Sequence, residues 1–168
     1  MNAGVRRKAW VAAVLAVTLL SCRTTPTLPP NVTILPEPAM PGLVDGFHEP
    51  RIESIQGYWR PAADDIATAH KRIFTRIVPA DFDGSRPISE YYAQYAGLIV
   101  NGERVIYGSF VHEWTIGTPP MPRWRDSAVH GDPMATGLSW GILYHPTTDV
   151  LDPPVGPWSW KNADFIVE

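Results

Sequence analysis

The stretch from Tyr91 to His112, YYAQYAGLIVNGERVIYGSFVH, constrains this chain more than any other. Two apolar, aromatic-rich runs flank Asn101-Gly102. Both residues tolerate the positive φ angles of a type I′ turn, so the dipeptide predicts a tight β-hairpin. A loop this short fixes the pairing. Val100 then faces Glu103, Leu98 faces Val105, Ala96 faces Tyr107 and Gln94 faces Ser109. On the opposite face Ile99 meets Arg104, Gly97 meets Ile106, Tyr95 meets Gly108, Ala93 meets Phe110 and Tyr91 meets His112. Successive side chains alternate, so these sets are two separate surfaces. The surface with Tyr95, Ile99, Ile106 and Phe110 is apolar and suits a helix, with Gly97 and Gly108 leaving room for close approach. The surface with Gln94, Glu103, Tyr107 and Ser109 is amphipathic and suits solvent or a partner.

The helix comes from the segment after Pro61, AADDIATAHKRIFTRIV. Ala62, Ile66, Ala69, Ile73 and Ile77 form one apolar stripe at helical spacing, widened by Phe74. Asp64 and Asp65 lie early and Lys71, Arg72 and Arg76 late, as the helix dipole favours. Pro79 ends it. His70, on the edge of the stripe, reads as a half-buried surface histidine. Asp81-Phe82-Asp83-Gly84 lacks the spacing of a calcium loop and reads as a turn. Leu138 to His145 predicts a third strand and Pro146 to Asp149 a turn. A fourth strand is expected within 150–160, with Trp158 and Trp160 on one face, and an edge within 162–167. The fold class expected is α+β, one helix packed on a mainly antiparallel sheet of about four strands. That layout is similar to the cystatin-like and NTF2-like groups, an analogy that carries no function.

Composition narrows the partners. The formal charge is −3 and the body of the chain carries no basic run, which excludes a nucleic-acid footprint. The single cysteine, Cys22, excludes an intrachain disulfide and a cysteine-based metal site. Proline, at 18 of 168 residues, favours extended segments over a helical bundle.

The first residues, MNAGVRRKAWVAAVLAVTLLSC, place Arg6, Arg7 and Lys8 before an apolar run from Ala9 to Leu20. That run fits a secretory signal and is too short to span a bilayer. It ends in Leu19-Leu20-Ser21-Cys22. This resembles the lipobox of bacterial lipoprotein precursors, over residues 1–22 only. The resemblance implies cleavage after Ser21, lipidation of Cys22 with palmitate-type acyl chains, and a membrane partner reached through that anchor. Two or more acyl chains hold stably where one does not. Arg23, rather than Asp, follows the cysteine, which in the family's sorting logic favours the outer membrane, with the domain in the periplasm or outside the cell. Loss of Arg6, Arg7 and Lys8 takes the formal charge from −3 to −6.

From 22 to 52 the chain carries Pro26, Pro29, Pro30, Pro36, Pro38, Pro41 and Pro50 and reads as a semi-rigid tether. The expected organisation is a signal peptide at 1–21, a Pro-rich tether at 22–52 and a single α+β domain at 53–168. Asn31-Val32-Thr33 matches a glycosylation acceptor by chance.

Several motifs suggest chemistry. Gly137-Leu138-Ser139-Trp140-Gly141 matches G-x-S-x-G, but the residues after Ser139 read as strand, where a nucleophile elbow needs a helix. His112 and Glu113 end one strand and His145 ends another. With His130 they would make a metal or acid–base cluster if they converged; as strand-end residues near solvent they would not. The segment 113–137 is longer than most loops, which marks a binding or disordered segment. Arg123-Trp124-Arg125 at its centre has hot-spot composition; equally, Trp124 plugs the core. The candidate binding surface is therefore His112, Glu113, Arg123, Trp124, Arg125, His130 and His145. No residue is assigned a catalytic, metal or cofactor-binding role, and no cofactor is expected. The expected function is a membrane-anchored envelope lipoprotein with a small non-enzymatic binding or structural module and an envelope protein as a candidate partner. One alternative is a hydrolase-like envelope enzyme using the His/Glu cluster. Another is a protease-inhibitor-like module presenting the 113–137 loop.

Overall fold

In the computed structural model, which describes residues 26–45, 55–76, 88–117, 121–130 and 139–152, Asn101 and Gly102 take φ angles of 51° and 79°. The turn closes β3 (Tyr91–Val100) onto β4 (Glu103–His112). The antiparallel register runs from Val100↔Glu103 to Tyr91↔His112, pair for pair as the turn requires. β5 (Ser139–His145) adds antiparallel to β4 and β6 (Val150–Leu151) to β5, through a turn in which Asp149 holds a φ of 57°. The long edge of β3 is shared by two short strands. β1 (Val32–Ile34) runs parallel to Ala93–Tyr95, and β2 (Ile55–Trp59) antiparallel to Gly97–Val100, with a bulge between Ile55 and Gly57. The sheet thus has six strands, in the order β1-β3-β4-β5-β6 with β2 also on β3. The class is α+β, as expected, with more strands than the four foreseen. The expected strand around Trp158 and Trp160 and the edge at 162–167 lie outside the described residues, as do Ile77, Pro79, the Asp81–Gly84 turn and the N-terminal segment with Cys22.

α2 (Ala63–Arg76) lays Ile66, Ala69 and Ile73 on the Tyr95, Ile106 and Phe110 surface, together with Trp140 and Ile142 of β5. Phe110 and Trp140 stack face to face at 3.9 Å. The helix starts without a good cap at Arg60. Instead the Asp65 carboxylate reaches back to accept the Ala62 N–H at 3.0 Å, half of a capping box. The two strand glycines serve different neighbours. A Cβ on Gly97 would collide with the carbonyl oxygen and indole of Trp59, and one on Gly108 with the Tyr95 ring. The close approach at Gly97 is therefore made by β2, not by the helix.

The amphipathic surface is neither solvated nor free. Leu35, Met40 and Leu43 pack on Ala96, Leu98, Val105 and Tyr107 and form a second core. Met40 and Leu43 come from α1 (Met40–Asp45), which follows a 3-10 turn at Glu37–Ala39. This corrects the tether reading for 26–45. Its prolines fall where no helix or ladder N–H is lost: before β1, at the start of the 3-10 turn, and at Pro41 in the first turn of α1. The proline-free triplet Val32-Thr33-Ile34 is long enough to pair. Leu28, just before it, also packs against the first core. The protein is a sheet covered on both faces, and the residues read as a tether supply one of the covers.

Candidate functional site

The open end of the β3–β4 hairpin carries His112, which is fully buried. A 3-10 turn at Ile88–Glu90 brings Glu90 beside it, and α3 (Glu113–Ile116) leaves directly after it. The His112 Nδ1 accepts the Trp114 N–H at 3.2 Å, so Nε2 carries the proton and donates to Glu90 Oε2 at 3.0 Å. The ring is wedged edge-on between Tyr91 and Trp114, each 5.1 Å away. A carboxylate orienting a histidine is the start of a catalytic relay, but a general base needs its second nitrogen facing substrate. Here that nitrogen caps a helix. Glu113 occupies the first turn of the same helix, where its charge suits the dipole.

The 121–130 part of the long loop lies against the sheet. Trp124 is buried with Val111, Ile116 and Val129, its ring edge-on to Tyr92 at 5.0 Å. Gln94 of β3 stitches it down. Its side-chain amide donates to the carbonyls of Trp124 and Ser127 and accepts the Val129 N–H at 2.7 Å. A buried amide surrounded by apolar neighbours must find such partners; as the lone polar residue in an apolar strand, Gln94 was the available signal. Trp124 is thus the core plug, and this stretch does not project as an inhibitor loop would. Arg123 and Arg125 stay exposed. The Arg125 guanidinium stacks 4.5 Å over the Trp124 ring and donates to the Pro30 carbonyl. Trp114, 68% exposed, and Met121, 43% exposed, flank the loop's start.

His145 lies elsewhere. Antiparallel pairing of Ile106 with Tyr144 sets His145 across from Val105, seven residues from His112 along β4, or about 24 Å at strand rise. It sits between Asp152, 3.2 Å from Nε2, and Glu103, 3.9 Å from Nδ1. His112 and Glu113 therefore do not converge with His145 into the cluster of the enzymatic alternative, because neighbouring antiparallel strands end on opposite sides of a sheet. His130, exposed at the end of 121–130, has its pKa lowered by partial burial, which the Asp45 carboxylate opposes. Among the described residues no three metal-ligating side chains cluster.

A charged opening lies along β1. A shallow groove of about 370 Å³ runs beside Leu28, Pro30, Val32 and Ile34, with Arg60 and Arg125 in its lining. Ala93 N–H donates to Asn31 O and Leu35 N–H to Tyr95 O. Alternation in the parallel ladder then turns the peptide groups of Val32 and Ile34 toward the groove. The Val32 N–H is taken by Pro29 O at 3.0 Å.

No protein-family model, curated protein or solved structure matches this chain. Its site is read from its own residues alone. Of the seven candidates, Arg123, Trp124 and Arg125 belong to one stitched loop, His130 to the exposed end of that same stretch, His112 and Glu113 to the α3 cap, and His145 to the far end of the sheet. Arg60, Glu90 and Gln94, not singled out by motif, do as much to shape these surfaces.

Proposed function

We propose that this chain is a membrane-anchored cell-envelope lipoprotein whose domain is a non-enzymatic binding or structural module. The observation that carries it is the sequence Leu19-Leu20-Ser21-Cys22 at the end of a basic-then-apolar leader, with Cys22 the sole cysteine. The anchor reading is tested by Cys22→Ala. The variant leaves the membrane fraction and loses the acyl mass found on the wild-type N-terminal peptide; unchanged fractionation and mass would refute it. The binding-module reading draws support from the His112 geometry, in which both ring nitrogens are engaged within the fold, and from Ser139 beginning a buried strand. The enzymatic alternative now rests on His145 with its two carboxylates. Hydrolysis by the purified mature protein that disappears in His145→Ala or Ser139→Ala would favour that alternative.

A further inference from the structure

We propose that the domain lies against the bilayer, with the β1 groove and its Arg60 and Arg125 facing an anionic lipid surface. The proposal rests on lipidation of Cys22 and goes beyond it to an orientation. Leu28 already packs against the core, and it lies only six residue steps after Cys22 in the sequence. Fully stretched, that length reaches about 20 Å. The headgroup layer takes up about 5–7 Å of this. What remains at full stretch is little more than one helix diameter, so the protein surface around Leu28 is held at the headgroups. That surface is the groove. Leu28, Pro29 and Pro30 form its wall, and Arg60 and Arg125 are in the same lining. The Arg125 guanidinium is tied to Pro30 itself, so its charge is fixed beside the anchored end of the domain. Arg23, within the spacer, adds a further positive charge, and Arg123 shares the Arg125 turn, against the single acid Asp126. Guanidinium groups pair with phosphate through parallel N–H donors. At the far end of the sheet the arginines are accompanied by acids: Glu103 and Asp152 flank His145, and Arg72 is paired with Asp149.

The test uses the full lipidated chain, in which Cys22 is consumed by lipid and an added cysteine is the one site for a thiol dye. Ser127→Cys, exposed beside Arg125, and Val150→Cys, on the far edge and 47% exposed, are labelled separately. Each is reconstituted into phosphatidylethanolamine–phosphatidylglycerol vesicles containing a headgroup-linked quencher. The Ser127 label is quenched and the Val150 label is not. Arg60→Glu, and Arg60→Glu with Arg125→Glu, reduce the docked fraction by a factor on the order of five for each arginine lost, as does replacing phosphatidylglycerol by phosphatidylcholine. Arg60→Glu alone leaves the Trp124 contact in place, and circular dichroism confirms that it folds. Equal quenching at both positions, or quenching indifferent to Arg60→Glu, overturns the proposal. So does a Ser127 label unquenched in vesicles but protected in native envelopes, which would point to an acidic extended segment pairing along β1 instead. Mass spectrometry of Cys22 is read first: a chain without acyl mass sinks the anchor reading and is thereby told apart from an anchored chain that stands off the membrane.

Discussion

At the scale of single residues, the polar groups inside this fold are mostly fasteners. His70 on α2 shares a hydrogen bond of 2.8 Å with the buried Tyr95 hydroxyl and lies 4.1 Å from the Phe74 ring. Burial lowers its pKa from 6.5 to about 4. The unfolded chain therefore takes up this proton first as pH falls. The stability contributed by neutral His70 is complete above pH 6.5 and is lost as pH drops toward about 4. Relative to His70→Gln, the native chain loses on the order of 2 kcal/mol over that window, discounted for partial exposure. Urea unfolding of both chains across the range checks this; parallel pH profiles would contradict it. Gln94 makes a second case. Gln94→Ala leaves the Trp124 and Ser127 carbonyls and the Val129 N–H without their partner, at a cost of about 3 kcal/mol. Hydrogen exchange at Val129 accelerates more than exchange within β4; an unchanged rate at Val129 would show that Gln94 does not hold the loop.

The elements differ in how far they could be read in advance. β3, β4 and α2 announce themselves because their signals are local: a turn dipeptide, a period of two and a stripe of apolar residues. β1, β2 and α1 do not. Val32–Ile34 and Ile55–Trp59 are too short for periodicity, and what makes them strands is the exposed edge of β3, distant in sequence. The site suffered from the same limit. His112 and His145 both sit at strand ends, and nothing local says which side of the sheet each end falls on. Gly97 shows what the short elements need from β3. The Trp59 indole lies over it, donates to the Leu98 carbonyl at 3.1 Å and is covered by Arg104. Gly97→Ala must push Trp59 and β2 outward and costs about 2–3 kcal/mol. A substitution cost below about 0.5 kcal/mol, within the range of ordinary surface changes, would show that β2 docks loosely.

For the whole molecule, the consequential correction is the place of residues 26–45. As a tether they would be dispensable to folding. As the cover over Leu98, Val105 and Tyr107 they are not. Removing residues 26–45 while keeping Cys22 joined to the rest exposes that apolar surface, and the shortened chain loses its cooperative thermal transition and aggregates. A truncated chain that stays monomeric and melts like the full one would restore the tether reading. The Arg72 guanidinium, joined in two places to the Asp149 carboxylate that also accepts from the Tyr144 hydroxyl, closes the opposite corner between α2 and the β5–β6 turn. Both ends of the described chain are thus bound into the sheet.

The parallel strand β1 also sets a timetable. Asn31 donates its side-chain amide to the Tyr91 carbonyl across a separation of 60 residues, and β1 itself pairs only with β3. The β3–β4 hairpin closes over a tight turn and forms on the microsecond scale. Closing the longer loop has to wait for that template. In a chain that emerges amino end first, the segment that appears earliest is therefore among the last to be fastened. Until β3 arrives, Leu35, Met40 and Leu43 have nothing to lie on.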